Sequence, residues 1–265
     1  LPDGIYSLRV QQGDALTDRG YYTIDNDVLY EALRIYDAAL AMAPRDTAPN
    51  DWAKIQSRIG QTKQGLGARL GDVAVMQASI DAFNLALSVQ TREASPREWG
   101  AIQNNLGNVL YSLGFRTGDQ ATLQQSIDAF DQALLVYTPD TEPVRWSIAV
   151  SNRGASMMSL ADAIYAATDK LQVEALQAGD PNADNLPEVI AARDSAVSLL
   201  SEVVTSLDEA MVARPKTDNP LDWSMMMHTK ASALSDRGKL TSNADDFAAA
   251  VEAYRDVLKV HDKER

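Results

Sequence analysis

Residues 96–107 read Pro96-Arg97-Glu98-Trp99-Gly100-Ala101-Ile102-Gln103-Asn104-Asn105-Leu106-Gly107: a proline, a tryptophan three places on, and a glycine eight places after that. The same punctuation returns along the chain. Trp52, Trp99 and Trp146 are spaced by 47 residues and Trp223 follows after 77, each three places after a proline: Pro49, Pro96, Pro143 and Pro220. Counting 47 back from Pro49 reaches Pro2, with Ile5 in the tryptophan place. The chain therefore divides into five copies, about residues 2–48, 49–95, 96–142, 143–219 and 220–265, the fourth enlarged by 30 residues. A period in this range is the mark of repeat proteins, in which each copy buries its apolar face only against its neighbours.

Other positions keep the register. Eight residues after the tryptophan place stand Gly13, Gly60, Gly107, Gly154 and Ala231, small enough for two helices to approach closely. Asp25, Asp72, Asp119 and Asn243 stand 23 residues after the proline and are N-cap types, whose side chains take up orphan amides at a helix start. A second helix then follows, with Ala32, Tyr36 and Ala39; Ser79, Phe83 and Ala86; Ser126, Phe130 and Ala133; Val203, Leu207 and Ala210; and Ala250, Tyr254 and Val257 sharing one face in turn. Proline suits the first turn of the first helix, and Gly71 or Gly118 ends it. Each copy reads as two helices, without strand signals, and the fold class is all-α.

Leu106-Gly107 with Leu110, followed by Ser126, Phe130 and Ala133, resembles the tetratricopeptide repeat, in a long-period bacterial form of 47 residues instead of 34. HEAT-type repeats share the length range but lack this glycine and Ala-x3-Phe combination. The resemblance covers the whole chain and implies one domain, residues 1–265, built as a right-handed superhelical solenoid of five helical hairpins. It also implies that the first helices line a groove, through Lys54, Ser57, Gln61 and Gln64 in the second copy and Asn104, Asn108 and Tyr111 in the third. In the fourth and fifth copies the set is Ser151, Ala155, Met158, Met225, His228 and Ser232. Asparagine and glutamine both donate and accept, as an extended peptide requires. The family's carboxylate clamp lacks its lysine, so capture of a C-terminal carboxylate is not expected.

In the enlarged fourth copy, apolar residues continue at Leu160, Ile164, Ala167 and Leu171, and after a breaker stretch at Val189, Ala192, Ala196, Leu199, Val203 and Leu207. This spacing predicts two arms, each about 15 residues longer, that protrude as a hairpin, with Ile164, Leu171, Leu176, Leu186 and Val189 as its docking residues. Arg153 and Lys230 replace the apolar residue before the small position, so either the packing opens there or acids pair with them, Asp222 and Asp236 being the candidates. Met225-Met226-Met227 reads as core more readily than as a contact surface. Arg69 and Arg116, each three residues before a capping aspartate, read as surface ion pairs.

Composition bounds the function. Lysine and arginine number 24 against 37 aspartates and glutamates, a net charge of −13, which disfavours nucleic acid and anionic membranes as partners. With no cysteine and two histidines, His228 and His261, thiolate chemistry is excluded and metal chemistry has little material, so no catalytic residue, metal or cofactor is expected. No apolar run approaches a membrane span of about 18 residues. Leu1 in place of methionine suggests a longer parent, and long-period arrays of the family accompany signalling or effector domains. The expectation is a soluble, non-enzymatic scaffold or recognition module for a protein or peptide, a basic partner being favoured by the charge. The alternative is a self-assembling module, stacking end to end or through the hairpin into a homo-oligomer.

Overall fold

The prolines place the helix starts. The computed structural model describes the backbone of residues 2–261 and the side chains of residues 5–261. Its helices are α1 (Pro2–Tyr22), α2 (Asn26–Leu40), α3 (Pro49–Leu70), α4 (Val73–Leu87), α5 (Pro96–Thr117), α6 (Gln120–Leu134), α7 (Pro143–Ala166), α8 (Asp169–Gln177), α9 (Pro187–Ala213), α10 (Pro220–Thr241) and α11 (Ala244–His261). The described residues are all-helical, without strands, and the first helix of every copy begins on its register proline. The capping residues do what their chemistry suggests: Asp72 Oδ1 accepts from the Ala74 and Val75 amides at 2.9 and 3.2 Å, Asp25 from Asp27, Asp119 from Thr122 and Asn243 from Asp245. Gly71 and Gly118 end α3 and α5 with φ of 64° and 67°. In the first and last copies Ile24 and Ser242 hold the same left-handed place without being glycine, at φ 54° and 55°, a conformation that costs a residue with a Cβ about 1–2 kcal/mol.

The small position is where the paired helices touch. A Cβ on Gly13 would lie 2.5 Å from the Tyr36 ring, and one on Gly60 2.8 Å from the Phe83 ring. Tyr36 and Phe83 are fully buried there, and Ser79 Oγ donates to the Gly60 carbonyl at 2.7 Å. The chain separates into two compact units, residues 1–113 and 114–265, with the boundary inside α5. In the first unit α1 pairs with α2, α3 with α4, and α2 packs on α3 through Tyr36, Ile55 and Ile59. In the second, α6 packs on α7, α7 on α9 and α10, α9 on α10, and α10 on α11.

The fourth copy departs from its expected hairpin. α7 stops at Ala166, and the chain turns at Ala167 and Thr168, where the Thr168 hydroxyl donates to the Tyr165 carbonyl at 2.7 Å. Only the nine-residue α8 follows, so the first arm is not a continuous extension, while the second, α9, is long. Asp184 ties the insertion back: its carboxylate accepts from Gln172 Nε2 at 3.2 Å and its carbonyl from Arg193 at 2.9 Å. Val189 is fully buried and so offers no docking surface, and the α9 seam passes through Leu200 in place of Leu199.

The charged register positions are paired, but by other acids. Arg153 donates to Asp131 at 2.6 Å and Glu202 at 2.8 Å, and Lys230 pairs with Asp208. Asp222 is engaged by Arg214 at 2.8 Å and Asp236 by Lys239 at 2.6 Å. Arg69 does not pair with Asp72: its guanidinium donates to the Gly20 and Tyr21 carbonyls at 2.8 and 3.0 Å, closing the end of α1. The methionine run divides, with Met226 fully buried and Met225 exposed.

Candidate functional site

Leu221, Ser224, Met225 and His228 fall on one stripe of α10, at the helical spacings of three and four that align side chains. With Ser151, Asn152 and Ala155 from α7, Thr229 from α10, and Val257 and His261 from α11, they line a cavity of about 510 Å³ within the second unit. That volume falls in the range of about 300–1,000 Å³ usual for ligand sites. The walls are apolar, from Ala155, Leu221, Met225 and Val257, and the polar groups are hydroxyls, one amide and two imidazoles. α11 brings both Val257 and His261 to the cavity; its 18 residues, against 15 in α2, α4 and α6, carry the helix past the register end of those helices to His261. His228 meets Tyr254 edge to face, with ring centroids 5.7 Å apart.

Ser224 and His261 approach to 3.5 Å (Oγ to Nε2), but the Ser224 hydroxyl donates to the Leu221 carbonyl at 2.8 Å. Its proton is committed to the helix backbone, and the geometry is not that of a nucleophile held by its base. The two histidines share this cavity, which their separation in sequence did not suggest. Among the described residues no group of three or more His, Asp or Glu stands ready for a metal ion.

Ser151 is the unusual member. It is 5% exposed, and its Oγ is buried without a hydrogen-bond partner. One period earlier, Asn104 Oδ1 is likewise buried and unpartnered. Buried polar groups are ordinarily satisfied, and leaving one bare costs about 1–3 kcal/mol. Ser151→Ala is therefore expected to raise the stability of the protein by about 1 kcal/mol, as read from urea unfolding. A loss of stability would mean that the hydroxyl has a partner in solution.

Of the expected groove residues in the last two copies, Ser151, Ala155, Met225 and His228 come together at this cavity. Met158 is half-buried outside its lining, and Ser232 shares a hydrogen bond with Tyr254 Oη at 2.9 Å. In the first unit Lys54 is exposed and 3.9 Å from Asp51, Gln61 is exposed, and Ser57, Gln64, Asn104, Asn108 and Tyr111 are half-buried. In the insertion, Leu171 and Leu176 are exposed, while Ile164 and Leu186 are half-buried. Asn152, Leu221, Ser224, Thr229, Val257 and His261 were not anticipated. Carrying the Met225–His228 stripe one turn back would have found Leu221 and Ser224; Val257 and His261 lie on a second helix, outside the first-helix rule that selected the others. Among the described residues, no helix is long and apolar enough to cross a membrane. No protein-family model matches the chain, and no curated protein matches it either.

Proposed function

We propose that this chain is a non-enzymatic helical-repeat interaction module, tetratricopeptide-like in build, that binds a segment of a protein partner along the face of α7 and α10. The observation that carries the reading is the convergence of Ser151, Ala155, Met225 and His228 on one apolar-walled cavity. Exposed apolar side chains around a few placed polar groups are the composition of a recognition site, and Met225 adapts its shape readily. The partner is favoured to be basic around its anchor, since the chain carries a net charge of −13.

The test uses the full chain against a displayed library of random peptides. Enriched peptides are expected to bind wild type and to lose at least about tenfold in affinity with Ala155→Glu/Met225→Glu, which places unpaired charge in the cavity. Unchanged binding by a double variant of normal helicity and melting would sink the reading. A second reading, self-association, rests on α11: Phe247 and Val251 are exposed, whereas their register mates Leu123 and Ile127 on α6 are buried. Mass that rises with concentration supports it, and a monomer at high concentration removes it.

A further inference from the structure

Arg69, near the end of α3, donates to the Gly20 and Tyr21 carbonyls at 2.8 and 3.0 Å, and its guanidinium lies 5.2 Å from the centre of the Tyr21 ring. The Gly20 carbonyl takes this bond while also accepting from the Asp25 amide at 3.2 Å, since a carbonyl has two lone pairs. Two periods of 47 along the chain, the places of Gly20, Tyr21 and Arg69 are held by Gly114, Phe115 and Ala163. The glycine and an aromatic ring are kept at the end of the earlier helix, here α5. The arginine that would reach them from the later helix, here α7, is cut back to a methyl group.

A cavity of about 220 Å³ lies at that place, lined by Gly114, Phe115 and Gly118 around the end of α5 and by Asp162, Ala163 and Ala166 near the end of α7. It shares no lining residue with the α7–α10–α11 cavity, and it is smaller than the roughly 300–1,000 Å³ of a small-molecule site. Gln120 Nε2 donates to the Ala163 carbonyl at 3.1 Å and holds α7 beside the start of α6. The chemistry around the cavity favours a cation. The carbonyls of a last helical turn carry partial negative charge, and Phe115 offers an exposed ring of the kind over which a guanidinium stacks. Asp162 is the one charged side chain among the lining residues, and it makes no hydrogen bond or ion pair among the described residues. The nearby Lys239 is held by Asp236 at 2.6 Å. An ammonium would answer the charge from a single point, whereas a planar guanidinium spans two adjacent carbonyls, as Arg69 does.

We infer that this second cavity seats an arginine side chain of a partner protein, its guanidinium across the end of α5, over Phe115 and beside Asp162, in the place that Arg69 takes within the chain. The contact goes beyond the α7–α10 binding reading and does not depend on it. The probes are N-acetyl-L-argininamide and N-acetyl-L-lysinamide, titrated into the full chain with the Gly114, Phe115 and Gly118 amides observed by NMR. The arginine probe is expected to shift these amides saturably and to bind at least about threefold more tightly than the lysine probe. Asp162→Asn, which keeps the shape of the side chain, is expected to weaken the arginine probe about 3–10-fold. Ala163→Arg, which returns an arginine to the register place, is expected to abolish the probe's shifts, and Asp162→Asn keeps the test decisive where that variant does not fold. No saturable shift, equal binding of the two probes, an affinity unchanged by Asp162→Asn, or probe binding that persists in a folded Ala163→Arg overturns the inference. Ala155→Glu/Met225→Glu is expected to leave the arginine probe unaffected, and loss of its binding there would move the arginine to the α7–α10–α11 cavity and overturn the inference as well. Library peptides that bind through Met225 to a chain without an arginine-probe site would remove this inference alone; arginine-probe binding to a chain that takes no peptide at Met225 would remove only the proposed function.

Discussion

Phe83→Ala is expected to lower the stability of the 1–113 unit by about 3–5 kcal/mol, the usual cost of truncating a buried aromatic whose site cannot collapse. The site is rigid for a structural reason. The ring is fully buried over Gly60, where even a Cβ would come within 2.8 Å of it, so the two helices are already as close as the glycine allows. Removing the ring opens a void between α3 and α4 that no side chain at Gly60 is present to fill. Urea unfolding followed by a probe in this unit checks the value. A loss below about 1.5 kcal/mol would mean that the α3–α4 pair does not depend on this contact. Gly60→Ala in the Phe83→Ala background should recover part of the loss, while alone it should destabilise.

Asp222→Ala is expected to cost the 114–265 unit about 3–5 kcal/mol, because it leaves the Arg214 cation buried without its counter-charge. The two side chains are only 15% and 12% exposed and meet at 2.8 Å, with Ser147 Oγ donating to the same carboxylate oxygen at 3.3 Å. Arg214 Nε already has no partner, so the guanidinium has little else to rely on. Replacing both ions, as Arg214→Met/Asp222→Leu, should bring stability back to within about 1 kcal/mol of wild type. A mild effect of the single change, or a double variant as unstable as the single one, would show that the pair is solvated in solution. Thermal and urea unfolding at neutral pH decide between these.

The elements most legible in the sequence are those set by local chemistry repeated at a fixed interval. Proline at a first helical turn, aspartate or asparagine at an N-cap and glycine at a left-handed stop each act within a few residues, and the period places the proline five times, the cap four times and the glycine twice. The small-position glycines were legible too, because Tyr36 and Phe83 stand at the matching register in the second helices. What pairs across helices was harder to read. Arg153 found Asp131 and Glu202, and Lys230 found Asp208, all in neighbouring second helices, whereas sequence proximity had pointed to Asp222 and Asp236. The insertion misled for a related reason. Apolar spacing continued through Ala167 and Leu171, but such spacing marks a face and not where the backbone turns, and the helix ends at Ala166 with α8 as a separate piece.

The binding face was half legible. The family resemblance, carried over by register along the first helices, selected Ser151, Ala155, Met225 and His228. It missed Val257 and His261, because both lie on a second helix, outside the first-helix rule that selected the others. Nothing in the sequence distinguished Ser151 from any other helical serine. Only its burial without a partner does so.

Hydrogen–deuterium exchange on the intact chain, with and without a library-selected peptide, tests the central claim most directly. The account predicts slowed exchange confined to residues around 151–158, 221–232 and the end of α11. Protection centred on α8 and the turn that follows it, with none on α7 and α10, would contradict it and make the insertion the docking element.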